Sequence, residues 1–131
     1  MTSLFAKKAL LPDGWADDVL LRITGGMIDD VLPGTTPDDS AVATGCIVPG
    51  LCNAHSHAFQ RALAGRTEER SPAGRDSFWT WRERMYELAA TLDPGLLHAI
   101  ACQAYTEMLQ SGYTTVAEFH YLHRDPATNS A

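Results

Sequence analysis

The chain carries no cluster of basic residues: ten Lys and Arg stand against sixteen Asp and Glu in 131 residues, a formal net charge of −6. Binding nucleic acid or an anionic membrane through charge needs a basic face, so neither partner is expected. Long apolar runs are missing too, and no segment approaches the ~20 apolar residues that span a bilayer. Lys7-Lys8 followed by Ala9-Leu10-Leu11 begins like a signal peptide but is cut short by Pro12 and Asp13. Cysteine is scarce: Cys46, Cys52 and Cys102 are odd in number and form no Cys-x-x-Cys pair. They read as free thiols in a reducing compartment, and a cytoplasmic protein is expected. There is no internal repeat and no low-complexity tract. What is present, 45% hydrophobic residues, suffices for one soluble core.

Val19-Leu20-Leu21-Arg22-Ile23 is rich in strand formers, Gly25-Gly26 supplies a turn, and Met27-Ile28 with Val31-Leu32 predicts the return strand of a hairpin. A Gly/Pro/Asp/Ser-rich connection over 33–40 leads to Ala41 to Val48. Residues 1–45 are read as a small β segment and 46–131 as a second region. In the latter, 61–77 are polar and hold Pro72 and Gly74, which predicts a long loop. Asp76 or Ser77 caps a helix over 78–90 in which Phe78, Trp81, Met85, Leu88 and Ala89 recur at helical spacing and face the core. Trp79, Arg82 and Tyr86 make a second face, and the two tryptophans read as packing residues.

Asp93-Pro94 starts a second helix whose apolar stripe is Leu97, Ile100, Ala101, Ala104 and Met108, and Ser111-Gly112 ends it. Thr114 to His120 reads as a buried strand, with a polar tail over 125–131. Strand, helices, strand is a βαβ unit with a parallel sheet. One such unit leaves sheet edges unpaired, and a complete (β/α)₈ barrel takes roughly 250 residues. The expected fold class is therefore α/β, the N-terminal part of a TIM barrel preceded by a small β-sandwich segment.

The chemistry concentrates in 49–60, Pro-Gly-Leu-Cys-Asn-Ala-His-Ser-His-Ala-Phe-Gln. Side chains at i and i+2 of an extended chain project to the same side, so His55 and His57 can reach one metal ion. Two imidazoles are half a site, because a catalytic zinc normally takes three protein ligands and keeps a position open for water.

A β segment, a Val-Pro-Gly turn and Asn-x-His-x-His at a strand end, in that order, resemble the opening of the amidohydrolase superfamily. Three motifs narrow the resemblance to its formimidoylglutamate deiminase family, which acts in histidine degradation. They are His55-Ser-His-Ala-Phe-Gln-Arg-Ala62, Asp76-Ser-Phe-Trp-Thr-Trp-Arg-Glu-Arg-Met-Tyr86 and Ala117-Glu-Phe-His-Tyr-Leu-His123. A bare His-x-His is a weak signal and three ordered motifs are a strong one. Cys52 stands where the family usually has Pro.

The resemblance implies a metal-dependent barrel with a flanking β-sandwich and one divalent ion, Zn²⁺ first, with Fe or Ni also suited to imidazole. The implied reaction is hydrolysis of N-formimidoyl-L-glutamate to N-formyl-L-glutamate and ammonia by metal-activated water. His55 and His57 become the first-strand metal ligands. The remaining ligands and the proton-transfer groups come from later strands beyond Ala131. No catalytic residue is therefore assigned within the chain, which is read as an N-terminal fragment, inactive alone and part of a homodimer at full length. The substrate's two carboxylates call for fixed cationic and hydrogen-bonding groups. Arg82 is the candidate clamp, and Gln60 and Tyr121 match the family's substrate-contacting positions near the strand ends.

Plainer readings stand beside these. His55 and His57 could be metal-free loop histidines, and Arg82 could pair with Glu83 or Glu87 on a solvated helix face. Gln60 and Tyr121 could be rim residues, His120 and His123 packing or ligand-orienting groups, and His98 a solvent-facing helix residue. Glu118 needs a partner if buried. Two further alternatives are a nucleobase or triazine aminohydrolase, which would need no dianion clamp, and a non-catalytic module that pairs with a second chain carrying the remaining strands.

Overall fold

The computed structural model describes residues 2–39, 41–68, 77–124 and 128. Asp76, Pro72, Gly74 and most of the 125–131 tail, named above, lie outside the described residues. The chain forms two compact units, Met1–Pro49 and Gly50–Ala131.

The first unit is a four-stranded sheet in the order β3-β2-β1-β4, built from β1 (Thr2–Leu11), β2 (Gly14–Thr24), β3 (Met27–Leu32) and β4 (Val42–Ile47). The expected hairpin is β2–β3, antiparallel from Leu20 opposite Leu32 to Thr24 opposite Met27. Its turn uses Gly25 and Gly26, both at positive φ, where side chains with a Cβ are strained. β1 was not anticipated, because Lys7-Lys8 interrupts its apolar pattern. It pairs antiparallel with β2 and parallel with β4. These two central strands carry the core, with Phe5, Ala6, Ala9, Val19, Leu20 and Leu21 buried. Cys46 and Ile47 lie opposite Lys8 and Ala9 of β1, so they belong to this sheet and not to the strand bearing the histidines.

The second unit contains β5 (Leu51–Ser56), a 3₁₀ helix (Ala58–Leu63), α1 (Phe78–Ala89), α2 (Pro94–Gln110) and β6 (Tyr113–Glu118). β5 and β6 pair in parallel, as a βαβ unit requires. At their start Gly50 lies so close to β6 that a Cβ would collide with the Thr114 side chain. Ser77 caps α1 through a reciprocal capping box with Thr80, and Asp93 caps α2 at Leu96 N–H with Pro94 in the first turn.

Phe59, Leu63, Met85, Leu88 and Leu92 form the core, with Trp81, Ala89, Leu97 and Ile100 packed against it. Three expectations need correcting. Residues 58–63 are helical where the loop was expected to begin, because burying Phe59 and Leu63 against α1 orders the chain. Phe78 and Trp79 are exposed, since the face that packs on the 3₁₀ helix is centred on Met85 and Leu88. β6 is largely exposed and not buried: among the described residues only β5 and α2 flank it. The three cysteines are free thiols, and no described helix is long and apolar enough to cross a membrane.

Candidate metal centre

His55, the penultimate residue of β5, and His57, just past its end, turn their rings to one another. Their Nε2 atoms stand 2.9 Å apart and the ring planes are nearly perpendicular at 82°. Two imidazole nitrogens bound to one ion at ~2.0–2.1 Å would be separated by about 2.9–3.4 Å for bond angles from about 90° to tetrahedral. The pair fits that requirement at its close end. Asn53 Oδ1 accepts the His55 backbone N–H at 3.1 Å, which fixes the strand end locally.

His57 is held from β6. Its Nδ1 lies 3.0 Å from the Phe119 carbonyl oxygen. A carbonyl can only accept, so Nδ1 carries the proton and the Nε2 lone pair is left for a metal, the usual arrangement of a ligating histidine. Phe119 N–H also donates to the Ser56 carbonyl at 3.0 Å, and Ala58 N–H donates to Glu118 Oε1 at 2.7 Å. Sequence reasoning foresaw that Glu118 would need a partner but not which one, and it missed the Phe119 carbonyl. Both lie at the C-terminal end of the neighbouring parallel strand, where ligand-orienting groups of such folds collect.

Tyr121 joins this group, its ring centroid 4.7 Å from that of His57 and in contact with Phe59 and Phe119. Gln60 sits within the 3₁₀ helix, its amide Nε2 3.2 Å from Met85 Sδ, a weak acceptor. Arg82 forms a separate group on α1. Its guanidinium donates to Tyr86 Oη at 3.1 and 3.3 Å and lies over the Trp79 and Tyr86 rings, 5.5 and 5.1 Å from their centroids. Among the described residues it forms no ion pair with Glu83 or Glu87, so its charge is stacked but not neutralised. No third His, Cys, Asp or Glu joins His55 and His57 among the described residues. His98 is exposed beside Cys102 on α2, and His120 and His123 are exposed beyond β6.

Residues 1–41 match a family model described as the N-terminal domain of formimidoylglutamate deiminase HutF, and residues 46–130 match the amidohydrolase family. The chain is 49% identical to formimidoylglutamate deiminase of Pseudomonas aeruginosa over 126 residues, which is 95% of this chain and 28% of that protein. It superimposes on a crystal structure of an amidohydrolase from Brucella melitensis with a TM-score of 0.90 and 44% identity, covering 96% of this chain and 28% of the other. The atrazine chlorohydrolase of Arthrobacter aurescens, solved with zinc, shares the fold at a TM-score of 0.72 and 24% identity over 92% of this chain and 29% of its own. The chain thus spans little more than a quarter of the length of these relatives.

Proposed function

We propose that this chain, which belongs to the amidohydrolase family, supplies the metal-binding opening of a formimidoylglutamate deiminase. The reaction is hydrolysis of N-formimidoyl-L-glutamate to N-formyl-L-glutamate and ammonia. The observation that carries this reading is the convergence of the His55 and His57 Nε2 atoms 2.9 Å apart, on a chain 49% identical to a deiminase of that name. We read β5, α1, α2 and β6 as the first elements of a (β/α)₈ barrel and β1–β4 as part of its flanking β-sandwich. A divalent cation, zinc in the first place, supplies Lewis-acid activation of water at neutral pH.

The chain's own residues do the rest of what is assigned to it. His57, with its Nδ1 proton engaged by the Phe119 carbonyl, presents Nε2 in a fixed orientation, and His55 presents the second nitrogen. Arg82 offers a fixed guanidinium for a substrate carboxylate: Trp79 and Tyr86 hold its plane, and Tyr86 Oη is a neutral partner that leaves the charge available. Tyr121 places a phenol beside His57, and Gln60 an amide that can leave its weak bond to Met85 for a better acceptor. A planar ring substrate would make no use of a carboxylate clamp, which favours the dicarboxylic substrate over a nucleobase. Homodimerisation and a cytoplasmic location complete the reading.

Two imidazoles are fewer than the three protein ligands of a catalytic zinc, so the chain alone is expected to release no ammonia from formimidoylglutamate. Mixed with the C-terminal portion of the Pseudomonas aeruginosa relative, it is expected to gain ammonia release and to retain zinc. Stoichiometric zinc on the chain alone, with no activity on mixing, would overturn the assignment.

A further inference from the structure

The geometry points to Glu118 as a positioning residue for His57, acting through the backbone that follows it; the inference rests on the metal-centre reading above. Three bonds from Glu118, the last residue of β6, and Phe119, which follows it, grip three consecutive residues at the β5 end. Phe119 N–H donates to the Ser56 carbonyl at 3.0 Å, the Phe119 carbonyl accepts from His57 Nδ1 at 3.0 Å, and Glu118 Oε1 accepts from Ala58 N–H at 2.7 Å. Only the last uses a side chain from the β6 end. It fixes the residue after His57, as the Phe119 N–H fixes the residue before it. With 56 and 58 both pinned, the backbone on either side of His57 is held where its ring meets the Phe119 carbonyl.

Ala58 N–H opens the 3₁₀ helix and has no intrahelical acceptor, so without Glu118 it would be left to water. A carboxylate acceptor makes this bond shorter and stronger than a neutral one would. The carboxylate is itself half-buried. Its other oxygen, Oε2, is buried without a hydrogen-bond partner among the described residues. The neighbouring Tyr105 phenol of α2 has its pKa raised by burial first and by the Glu118 charge second. Glu118 therefore ties the β5 end to β6 and faces α2, which places it between the packed helix and the half-buried ring. The rings of His55, Phe119 and Tyr121 surround the imidazole without distinguishing its two nitrogens, so its tautomer depends on these bonds.

The test compares Glu118→Ala with Glu118→Gln, which keeps an acceptor oxygen, and with Glu118→Asp, which keeps the charge but withdraws the oxygen by one methylene. In the metal-free 131-residue chain the His57 ring nitrogens, followed by ¹⁵N NMR, are expected to show one tautomer protonated at Nδ1. Glu118→Ala and Glu118→Asp should mix the tautomers, and Glu118→Gln should preserve one. In the chain reassembled with the C-terminal portion of its relative, zinc affinity, measured by competition with a chelating dye, should fall about tenfold or more for Ala and stay within about threefold for Gln. With zinc saturating, KM should be unchanged. If Ala is too unstable to study, Asp carries the test. An unchanged tautomer, or zinc affinity within twofold of the parent for both Ala and Asp, overturns the inference. If the parent itself binds no zinc on reassembly, the metal-centre reading fails, and the tautomer measurement still decides whether Glu118 positions the ring.

Discussion

The two units solve the burial of a sheet differently. In Met1–Pro49 the ladder and the core coincide: β1 and β2 lie in the middle of the sheet and contribute every buried hydrophobic residue of that unit. In Gly50–Ala131 they are separate. The buried cluster lies between the 3₁₀ helix and α1 with its following turn, while β5 and β6 remain open, with Leu51 51% and Val116 37% exposed. The site is thus built on a thinly covered part of its unit. Its precision comes from hydrogen bonds between neighbouring strand ends, with the rings of Phe119 and Tyr121 packed beside them.

The largest effect that would sharpen this contrast is expected from Phe59→Ala. Phe59 is 4% exposed in the core of the second unit and also touches Tyr121. Truncating a buried Phe costs about 3–5 kcal/mol. Urea unfolding followed by tryptophan fluorescence in single-tryptophan variants can separate the units, since Trp15 lies in β2 and Trp79 and Trp81 lie in α1. The transition reported by α1 should move to lower urea and that reported by Trp15 should not. Equal movement of both would show that the two cores unfold as one, which would break the comparison.

A smaller effect, confined to function, is expected from Arg82→Ala. The guanidinium lies on exposed aromatic rings, so its loss should leave both unfolding transitions nearly in place. In the reassembled enzyme, kcat/KM for formimidoylglutamate should fall more than tenfold, over about 1.4 kcal/mol, with no such loss on ring substrates. An equal loss on both would remove Arg82 from the role of carboxylate clamp and return it to the helix surface.

How much of this was legible in the sequence follows the same division between local and distant causes. Gly25-Gly26, Ser77 and Asp93-Pro94 act on their own neighbours, and the hairpin and both helix starts fall where those residues put them. The i, i+2 spacing of His55 and His57 is likewise local, and the rings do converge. β1 escaped notice because its strand state is set by pairing with β2 and, 38 residues away, with β4, which outweighs the interruption at Lys7-Lys8. The 3₁₀ helix escaped because Phe59 and Leu63 are ordered by α1. The Phe119 carbonyl could not be read at all: a backbone oxygen has no signature in sequence, and only the parallel pairing of β5 with β6 brings it to His57.

The smallest expected effect concerns an ion pair of the second unit. Arg61 of the 3₁₀ helix donates to both carboxylate oxygens of Glu107 on α2, at 2.6 and 2.9 Å, and Gln103 donates to the same carboxylate at 2.8 Å. The Arg61 hydrogen bonds first, and Gln103 next, hold the Glu107 pKa down at about 2 against an ordinary 4.5. A depressed carboxylate pKa stabilises the folded state fully above the unfolded value, and that contribution is lost as pH falls from about 4.5 towards about 2. The pair is solvent-exposed, so the effect is small. Glu107→Gln should lower the urea midpoint of the α1 transition slightly at pH 7, with the gap from the parent closing between about pH 4.5 and about 2 and the Trp15 transition unaffected. A gap that persists unchanged at pH 2 would mean that Glu107 contributes through packing on Gln103 and the helix surface, and the charge on Arg61 would then have no part in joining the 3₁₀ helix to α2.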